Sequence, residues 1–435
     1  MNGDGTSWGG LPAVSQTLYP VRNRTHPLPP VDTHMLPYGL GRSYGDSCLN
    51  HMGTLLTTDQ LDRWISFDPA SGVLHCEAGV SLAQILELVV PKGWFLPVTP
   101  GTRHVTLGGA IANDVHGKNH HRAGTFGRYV REIELLRSDG SRTQCSRTRN
   151  ARWLRATIGG LGLTGLITTV KLQLRPIVSR NMEVEEIKMT GLKQFFDLAD
   201  ASDPTHEYTV AWVDCLATGA QLGRGIFFRA NHSETPSSLN SDRTRSFSVP
   251  MRAPNWLLNP ISIQGFNALY RNKLRTDCHL ATQDYRPFFY PLDRVENWNR
   301  LYGKRGFYQH QCVVPRDGHE GAIQELLERI GRSGQASFLA VLKLFGDHPP
   351  EGLLSFPRPG VTLALDFPNR GESTLKLFRE LDDVVMQAGG ALYPAKDARM
   401  SSDHFRQFTP ALDTFLPYVD PAFSSSFHRR VLTPS

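Results

Sequence analysis

Between Pro100 and Val130 the chain reads PGTRHVTLGGAIANDVHGKNHHRAGTFGRYV, with glycines at positions 101, 108, 109, 117, 124 and 127 around a cluster of His116, Lys118, His120 and His121. Glycine at this density lets backbone N–H groups approach a ligand closely, because no Cβ stands in the way. Such a stretch is suited to cradling an anionic cofactor. It is also the composition of a glycine-rich surface loop, and on this stretch alone both readings stay open. A second glycine stretch upstream, PYGLGRSYGD from Pro37 to Asp46, favours the cradle.

These residues need elements to position them. Residues 1 to 36 are rich in Pro, Thr and Arg, and HPLPPVD from His26 to Asp32 argues against a long helix, so the first core element is expected near Met35. GVLHCEAG from Gly72 to Gly79 alternates as a strand. Ser81 then opens SLAQILELVV, with Gln84 as its capping-box partner and Leu82, Ile85, Leu86 and Val89 on one face. The run REIELLRSDGSRTQCS predicts a hairpin turning at Asp139-Gly140. GLGLTG from Gly160 to Gly165 matches the dinucleotide pattern GxGxxG, but WLRATIG precedes it and the β-branched LITTVKLQLRP follows, the reverse of the strand–turn–helix context a Rossmann site requires.

From about residue 180 to 390 the pattern predicts a second domain of strands and two helices. One covers His319 to Ile330 with Ile323, Leu326, Leu327 and Ile330 inward, and the other is stopped at Gly389-Gly390. FLAVLKLFG and GVTLALDFP bracket a proline-rich turn as strands, and Asn231 to Ser248 has the polar composition of a mobile loop. The segment Met251 to Arg275 carries Trp256, Leu257, Leu258 and Ile261 and ends in Arg271, Lys273 and Arg275. An apolar patch followed by bases suits a lid or a membrane-surface contact, and equally a stretch of buried core.

At 435 residues the chain exceeds one typical core. Its formal charge of +6 and pI near 9.0 suit anionic ligands or an anionic membrane surface, and fall far short of a nucleic-acid footprint. The six cysteines show no CxxC pair and no zinc spacing, so free thiols in a reducing compartment and no metal site are expected. The N-terminus shows no secretion signal and no apolar run approaches the ~20 residues that span a bilayer. A cytoplasmic or peripheral protein is the expectation.

GLGRSYGD (Gly39 to Asp46), PGTRHVTLGGAIANDVHGKNHH (Pro100 to His121), GLTG (Gly162 to Gly165), PLDRVENWNRLYG (Pro291 to Gly303), SFLAVLKLFG (Ser337 to Gly346) and LYPAKDAR (Leu392 to Arg399) together resemble the decaprenylphosphoryl-β-D-ribose 2-oxidases, flavoproteins of the vanillyl-alcohol-oxidase type. The resemblance runs from about residue 35 onward with the motifs in matching order. It implies an α+β chain: an FAD-binding domain built from residues 1–178 and 391–435, with a substrate domain of antiparallel sheet and helices, 179–390, inserted between. It places the flavin pyrophosphate in the turn of Gly39, Leu40, Gly41, Arg42, Ser43, Tyr44 and Gly45. Gly101, Thr106, Leu107, Gly108, Gly109, Asn113, Asp114, Val115 and His116 line the rest, with Ile167 on the adenine side and Tyr393 closing from the C-terminus. In relatives with covalent flavin a histidine occupies the first turn; Arg42 takes that place here, which implies dissociable FAD. The segment before Gly39 is shorter and more proline-rich than in the family, and Ala364 stands where the mycobacterial enzymes carry a cysteine facing the flavin.

Alcohol oxidation needs a base, and the resemblance offers Lys396 or His116, with Lys118 beside them as further positive charge near the flavin. Lys343, Gln309, Gln311, Trp212 and Tyr290 would face the sugar and phosphate. Gln309 and Gln311 share one strand face, as alternate residues must. Each has a bland reading too: a solvated Lys343, a loop-bonded His116, a core Trp212. His120 and His121 are expected to scaffold the loop. The resemblance implies oxidation of a polyprenyl-phosphoryl-β-D-ribose at its 2-hydroxyl, with a short-chain NAD(P)H-dependent reductase taking the keto product to the arabinose form. The alternatives are a free alditol, sugar or aldonolactone as substrate, or a non-catalytic flavin binder.

Overall fold

In the computed structural model, residues 5–30, 33–239, 247–254, 256–316, 320–335 and 337–432 are described. Two sheets organise them. The first is antiparallel and five-stranded, in the spatial order Trp64–Asp68, Val73–Glu77, Leu166–Gln173, Val130–Leu136, Arg142–Ser146. Its hairpin turns at Asp139-Gly140, with Gly140 at φ +80°. The helix Leu82–Val89 packs beside it, capped by Ser81 and Gln84 in a reciprocal box, with Leu82, Ile85, Leu86 and Val89 all buried. GLGLTG follows the helix Ala151–Thr157 and precedes the strand Leu166–Gln173, so it is no Rossmann turn.

A second, eight-stranded antiparallel sheet runs in the order Cys278–Asp284, Asn181–Met189, Gly225–His232, Tyr208–Val213, Ala340–Phe345, Gly360–Pro368, Phe307–Val314, Ala391–Leu392. Helices Leu192–Ser202, Glu320–Ser333 and Glu372–Gln387 bury their apolar stripes in one core with it. The expected inward set Ile323, Leu326, Leu327 and Ile330 is fully buried; His319 lies outside the described residues. Because Ala391–Leu392 pairs with Phe307–Val314, the sheet reaches just past the boundary expected at 390. After it the chain returns to the first half: Arg430 pairs with both Asp46 and Asp397, and Arg137 with Asp420. This is the expected α+β arrangement of a split domain around an insertion.

The first buried strand is Met35–Tyr38, where the first core element was expected; ahead of it Thr17–Pro20 adds a mostly exposed parallel strand to Thr54–Thr57, which the proline-rich composition concealed. Two local expectations need correction. The polar stretch from Asn231 starts as strand, since Asn231 and His232 complete Gly225–His232; residues 240–246 lie outside the described set. Trp256 and Ile261 are exposed, not core, and Ile261 sits on a helix, Pro260–Asn272, that composition did not suggest. The six cysteines are all unpaired. Among the described residues no helix is long and apolar enough to cross a membrane, and no cluster of His, Cys, Asp or Glu could hold a metal.

Candidate active site

A cavity of about 610 Å³ opens between the two halves, walled by both glycine stretches, by the large sheet and by the C-terminal return. The turn after Met35–Tyr38 forms one wall. Gly41 sits there at φ +63°, where a side chain is strained, and a Cβ on Gly39 would stand 2.5 Å from Thr106 Oγ1. Among the described residues the N–H groups of Gly39, Leu40, Gly41 and Ser43 have no hydrogen-bond partner, so several donors are left for an anion. Arg42 donates to the His104 carbonyl at 3.0 Å and lies over the Trp8 ring.

The second glycine stretch contributes shape more than donors. Leu107 N–H is spent on Val80, Gly108 N–H on Ala78 and Gly109 N–H on Thr106 Oγ1. Gly101 also lines the cavity, and a Cβ there would meet nothing within 4 Å, so the space beside it is open for a ligand. Thr106, Gly108, Gly109, Asn113, Val115 and Ile167 line the cavity as well. Tyr393 closes it by donating to the Asn113 carbonyl at 2.9 Å and stacking on Phe356.

Four expected site residues lie elsewhere. Gly45 packs against the Asp397 carbonyl, where a Cβ would be only 1.8 Å away. Leu107 is buried in the core of the first half. Asp114 is turned inward, accepting from Gly127 N–H and Ser355 Oγ. Tyr290 meets Thr99 through its hydroxyl at 2.7 Å and does not reach the cavity; it holds a residue that does. Trp212 is both wall and core: it lines the cavity while donating to the Phe338 carbonyl and packing on Tyr270.

The proton-handling groups do converge. Gln309 and Gln311 project from one face of Phe307–Val314 into the cavity, Lys343 from Ala340–Phe345, and Lys396 from the turn after Ala391–Leu392. Lys343 and Lys396 have no hydrogen-bond acceptor among the described residues, and burial pulls the Lys343 ammonium down to about 8. The Lys396 ammonium sits 3.6 Å from the Tyr44 ring centroid. Burial lowers its pKa, the Asp366 carboxylate opposes the shift and Lys343 adds to it. Asp366 is raised in turn by its own burial, against the hydrogen bond from Gln309 and the charge of Lys396. Lys118, lowered to about 7 by burial and Lys343, is tethered to the Phe288 carbonyl.

His116 is placed differently. Its ring is enclosed by Phe345, Phe356 and Tyr393, and the Gln311 amide stands 3.0 Å from Nε2. Burial, then Lys343, His120 and Lys396, hold it well below the usual histidine range, so the ring is neutral and Nδ1–H is left buried without a partner. A neutral, weakly basic imidazole positions Gln311 better than it removes a proton. His120 accepts from Gly346 N–H and His121 meets the His206 carbonyl, which suits scaffolding.

Two participants were not read from the sequence. Asp366 stands in the strand Gly360–Pro368 opposite Gln309, with one carboxylate oxygen buried and unpartnered. Its position in an apolar strand was the available signal. The other is the segment Gly5–Leu11: Trp8 N–H donates to Ser43, Phe307 N–H to the Gly9 carbonyl, and Trp8 meets Trp298 edge-on. It straps the anion-binding turn to the large sheet. Trp8→Ala, which removes the Arg42 stack, is expected to raise the dissociation constant of the ligand in that turn about 10-fold, within the ~0.5–2 kcal/mol of such contacts. Equilibrium titration of the ligand-free protein measures it, and unchanged affinity would remove the strap's role.

Residues 31–146 match the FAD binding domain family. The chain is 36% identical over 410 residues to the decaprenylphosphoryl-beta-D-ribose oxidase of Mycolicibacterium smegmatis, covering 90% of this chain and 88% of that one. It is also 31% identical over 163 residues to a probable L-gulonolactone oxidase 4 of Arabidopsis thaliana, 36% of this chain and 28% of that protein. An alditol oxidase of a Streptomyces species is 28% identical over 141 residues, about a third of each chain. Unpartnered turn amides, the open space at Gly101 and the lysines around the cavity fit FAD, whose pyrophosphate is anionic. Fold and site thus define an FAD-dependent oxidoreductase with a vanillyl-alcohol-oxidase-type binding domain. Within that class, the chain belongs to the decaprenylphosphoryl-β-D-ribose oxidase family.

Proposed function

We propose that this chain oxidises the ribose 2-hydroxyl of a polyprenyl-phosphoryl-β-D-ribose to the 2-keto sugar, using FAD held without a covalent bond. The observation that carries the reading is the convergence of two unpartnered lysines, Lys343 and Lys396, with two amides, Gln309 and Gln311, on one buried cavity. A cationic Lys343 suits a phosphate, a neutral Lys396 suits proton removal, and amides suit sugar hydroxyls. The M. smegmatis relative, similar along nearly its whole length, supports the same substrate class, whereas the alditol and lactone oxidases are similar over about a third of this chain.

When bound, FAD supplies the two-electron acceptor for the hydride leaving C2. The neutral amine of Lys396 takes the hydroxyl proton at Nζ, a role its burial prepares by favouring the uncharged form. Lys343 holds negative charge, Gln309 and Gln311 orient the sugar, and His116 fixes Gln311. Arg42 in place of a histidine supports dissociable flavin. A short-chain NAD(P)H-dependent reductase would then reduce the keto sugar to the arabinose form for cell-wall or polysaccharide synthesis.

Anaerobic mixing of the FAD-loaded protein with a short-chain polyprenyl-phosphoryl-β-D-ribose, and separately with alditols and aldonolactones, tests the reading. Bleaching of the visible flavin band by the lipid-linked sugar alone is expected. Bleaching only by a free polyol or lactone would overturn the substrate, and silence with all of them would overturn the reaction.

A further inference from the structure

The helix Pro260–Asn272 is amphipathic in reverse. Its inner face is anchored: Ile263 is buried in the main core, Asn267 donates to buried Asp214 at 2.7 Å, and Tyr270 packs edge-on against Trp212. Its outer arc is Ile261, Gly265, Ala268, Leu269 and, at the C-terminal end, Asn272, with no charged side chain. Ile261 is 81% exposed, Leu269 77%, and Trp256 on the preceding turn 72%. A surface helix exposed to water carries its polar residues outward, so an anchored helix with this arc is built to meet something apolar.

Charge identifies what it meets. From Met251 to Arg275 there is no Asp or Glu, and four residues, Arg252, Arg271, Lys273 and Arg275, are basic. Arg252 and Arg275 are exposed and have no ion-pair partner among the described residues, whereas Lys273 is occupied by Glu186 at 3.2 Å. Exposed apolar side chains flanked by unpaired guanidinium groups match an anionic lipid surface, which offers headgroup charge and acyl depth together. Location is consistent with this: Tyr270 and Lys273 of the same segment line the cavity, so one short stretch of chain carries both part of the cavity wall and the exposed apolar arc.

We propose that the helix Pro260–Asn272 and the Trp256 turn dock this protein onto the surface of an anionic bilayer. The proposal rests on the helix and not on the substrate assigned above, although a lipid-linked substrate would be delivered to the cavity from such a surface.

Co-sedimentation with phosphatidylcholine vesicles, with and without an equal share of phosphatidylglycerol, tests it using the FAD-loaded full chain. Wild type is expected to partition onto the anionic vesicles, less onto neutral ones, and less again as salt rises. The variant I261E/L269E changes only exposed positions and is expected to lose at least about 10-fold in partitioning, with flavin content and turnover of a water-soluble short-chain substrate unchanged. No partitioning by wild type, or equal partitioning by the variant, overturns the proposal. So does a wild-type dimer that the variant converts to monomer without any vesicle binding, since the face would then belong to a second copy. Vesicle binding without turnover of the lipid-linked sugar supports the docking surface and sinks the substrate reading alone.

Discussion

Replacing Lys396 by alanine is expected to leave FAD bound and to slow its reduction by substrate about 10²–10⁴-fold, the range a positioned base contributes. Flavin retention follows because the turn amides and Gly101, which lie on other segments, are untouched. The loss follows because the other candidate groups are engaged or assigned elsewhere: Lys118 is held by the Phe288 carbonyl, His116 is enclosed and already a hydrogen-bond partner of Gln311, and Lys343, which shares the cavity and a lowered ammonium, is the group assigned to the substrate's negative charge. Rapid mixing without oxygen reads the reductive step directly, and a rate equal to wild type would remove Lys396 from the chemistry. The pH profile gives a sharper form of the same expectation. A base must be uncharged, so the reductive rate rises with pH through the Lys396 pKa, which burial sets below the ordinary lysine value of about 10.4. The Asp366 carboxylate pulls that pKa up. Asp366→Asn should therefore move the acid limb to lower pH, whereas a merely structural Asp366 would lower the rate without moving the limb.

Asp382→Ala is expected to destabilise the protein by about 3–5 kcal/mol, the cost of stranding buried charge. Asp382 lies behind the substrate face, where Arg399 engages both of its oxygens and His310 Nε2 stands 3.1 Å from Oδ1. Burial pushes the Asp382 carboxyl up, but Arg399 and His310 outweigh it and hold the group below the usual carboxylate range. The stabilisation is therefore present above the unfolded-state pKa and lost as pH falls through the depressed folded value. Urea unfolding of the variant beside wild type measures the loss. Asp200→Ala, which breaks the half-exposed pair with Arg316, should cost only about 0–1 kcal/mol and serves as the comparison. Equal effects in the two variants would contradict the account. Arg399 lies three residues past Lys396, so the Asp382 variant is also expected to slow the reductive step.

What the sequence made legible is what local rules govern. Ser81 and Gln84 announce a helix start, Asp139-Gly140 a hairpin, and Gln309 and Gln311 a shared face, because each depends on neighbours within a few residues. Periodicity also found the buried stripe of Glu320–Ser333. The helix Pro260–Asn272 shows the limit of that rule: Ile263 is buried while Ile261 and Leu269 lie on the solvent side, and a pattern identifies a face without saying what covers it. Asp366 and Trp8 escaped for a different reason. Their roles come from residues far along the chain, Lys396 and Gln309 for one, Arg42 and Trp298 for the other. Ordered motifs led to the glycine turn and the lysines, but not to which neighbours face inward: Asp114 and Leu107 share a segment with Asn113 and Gly108, yet turn to the core.

The pairing of Arg430 with Asp46 joins residues 384 positions apart, and Asp397 shares the same guanidinium. Gly45, next to Asp46, closes the flavin turn against the Asp397 carbonyl. A ribosome adding about 5–20 residues per second needs roughly 20–80 s to travel from one partner to the other. During that interval the turn has been synthesised but its backing has not. The nascent chain therefore carries an unfinished nucleotide site through most of its translation. The backing of the flavin turn is complete only once the helix Ser426–Leu432, which carries Arg430, has been made.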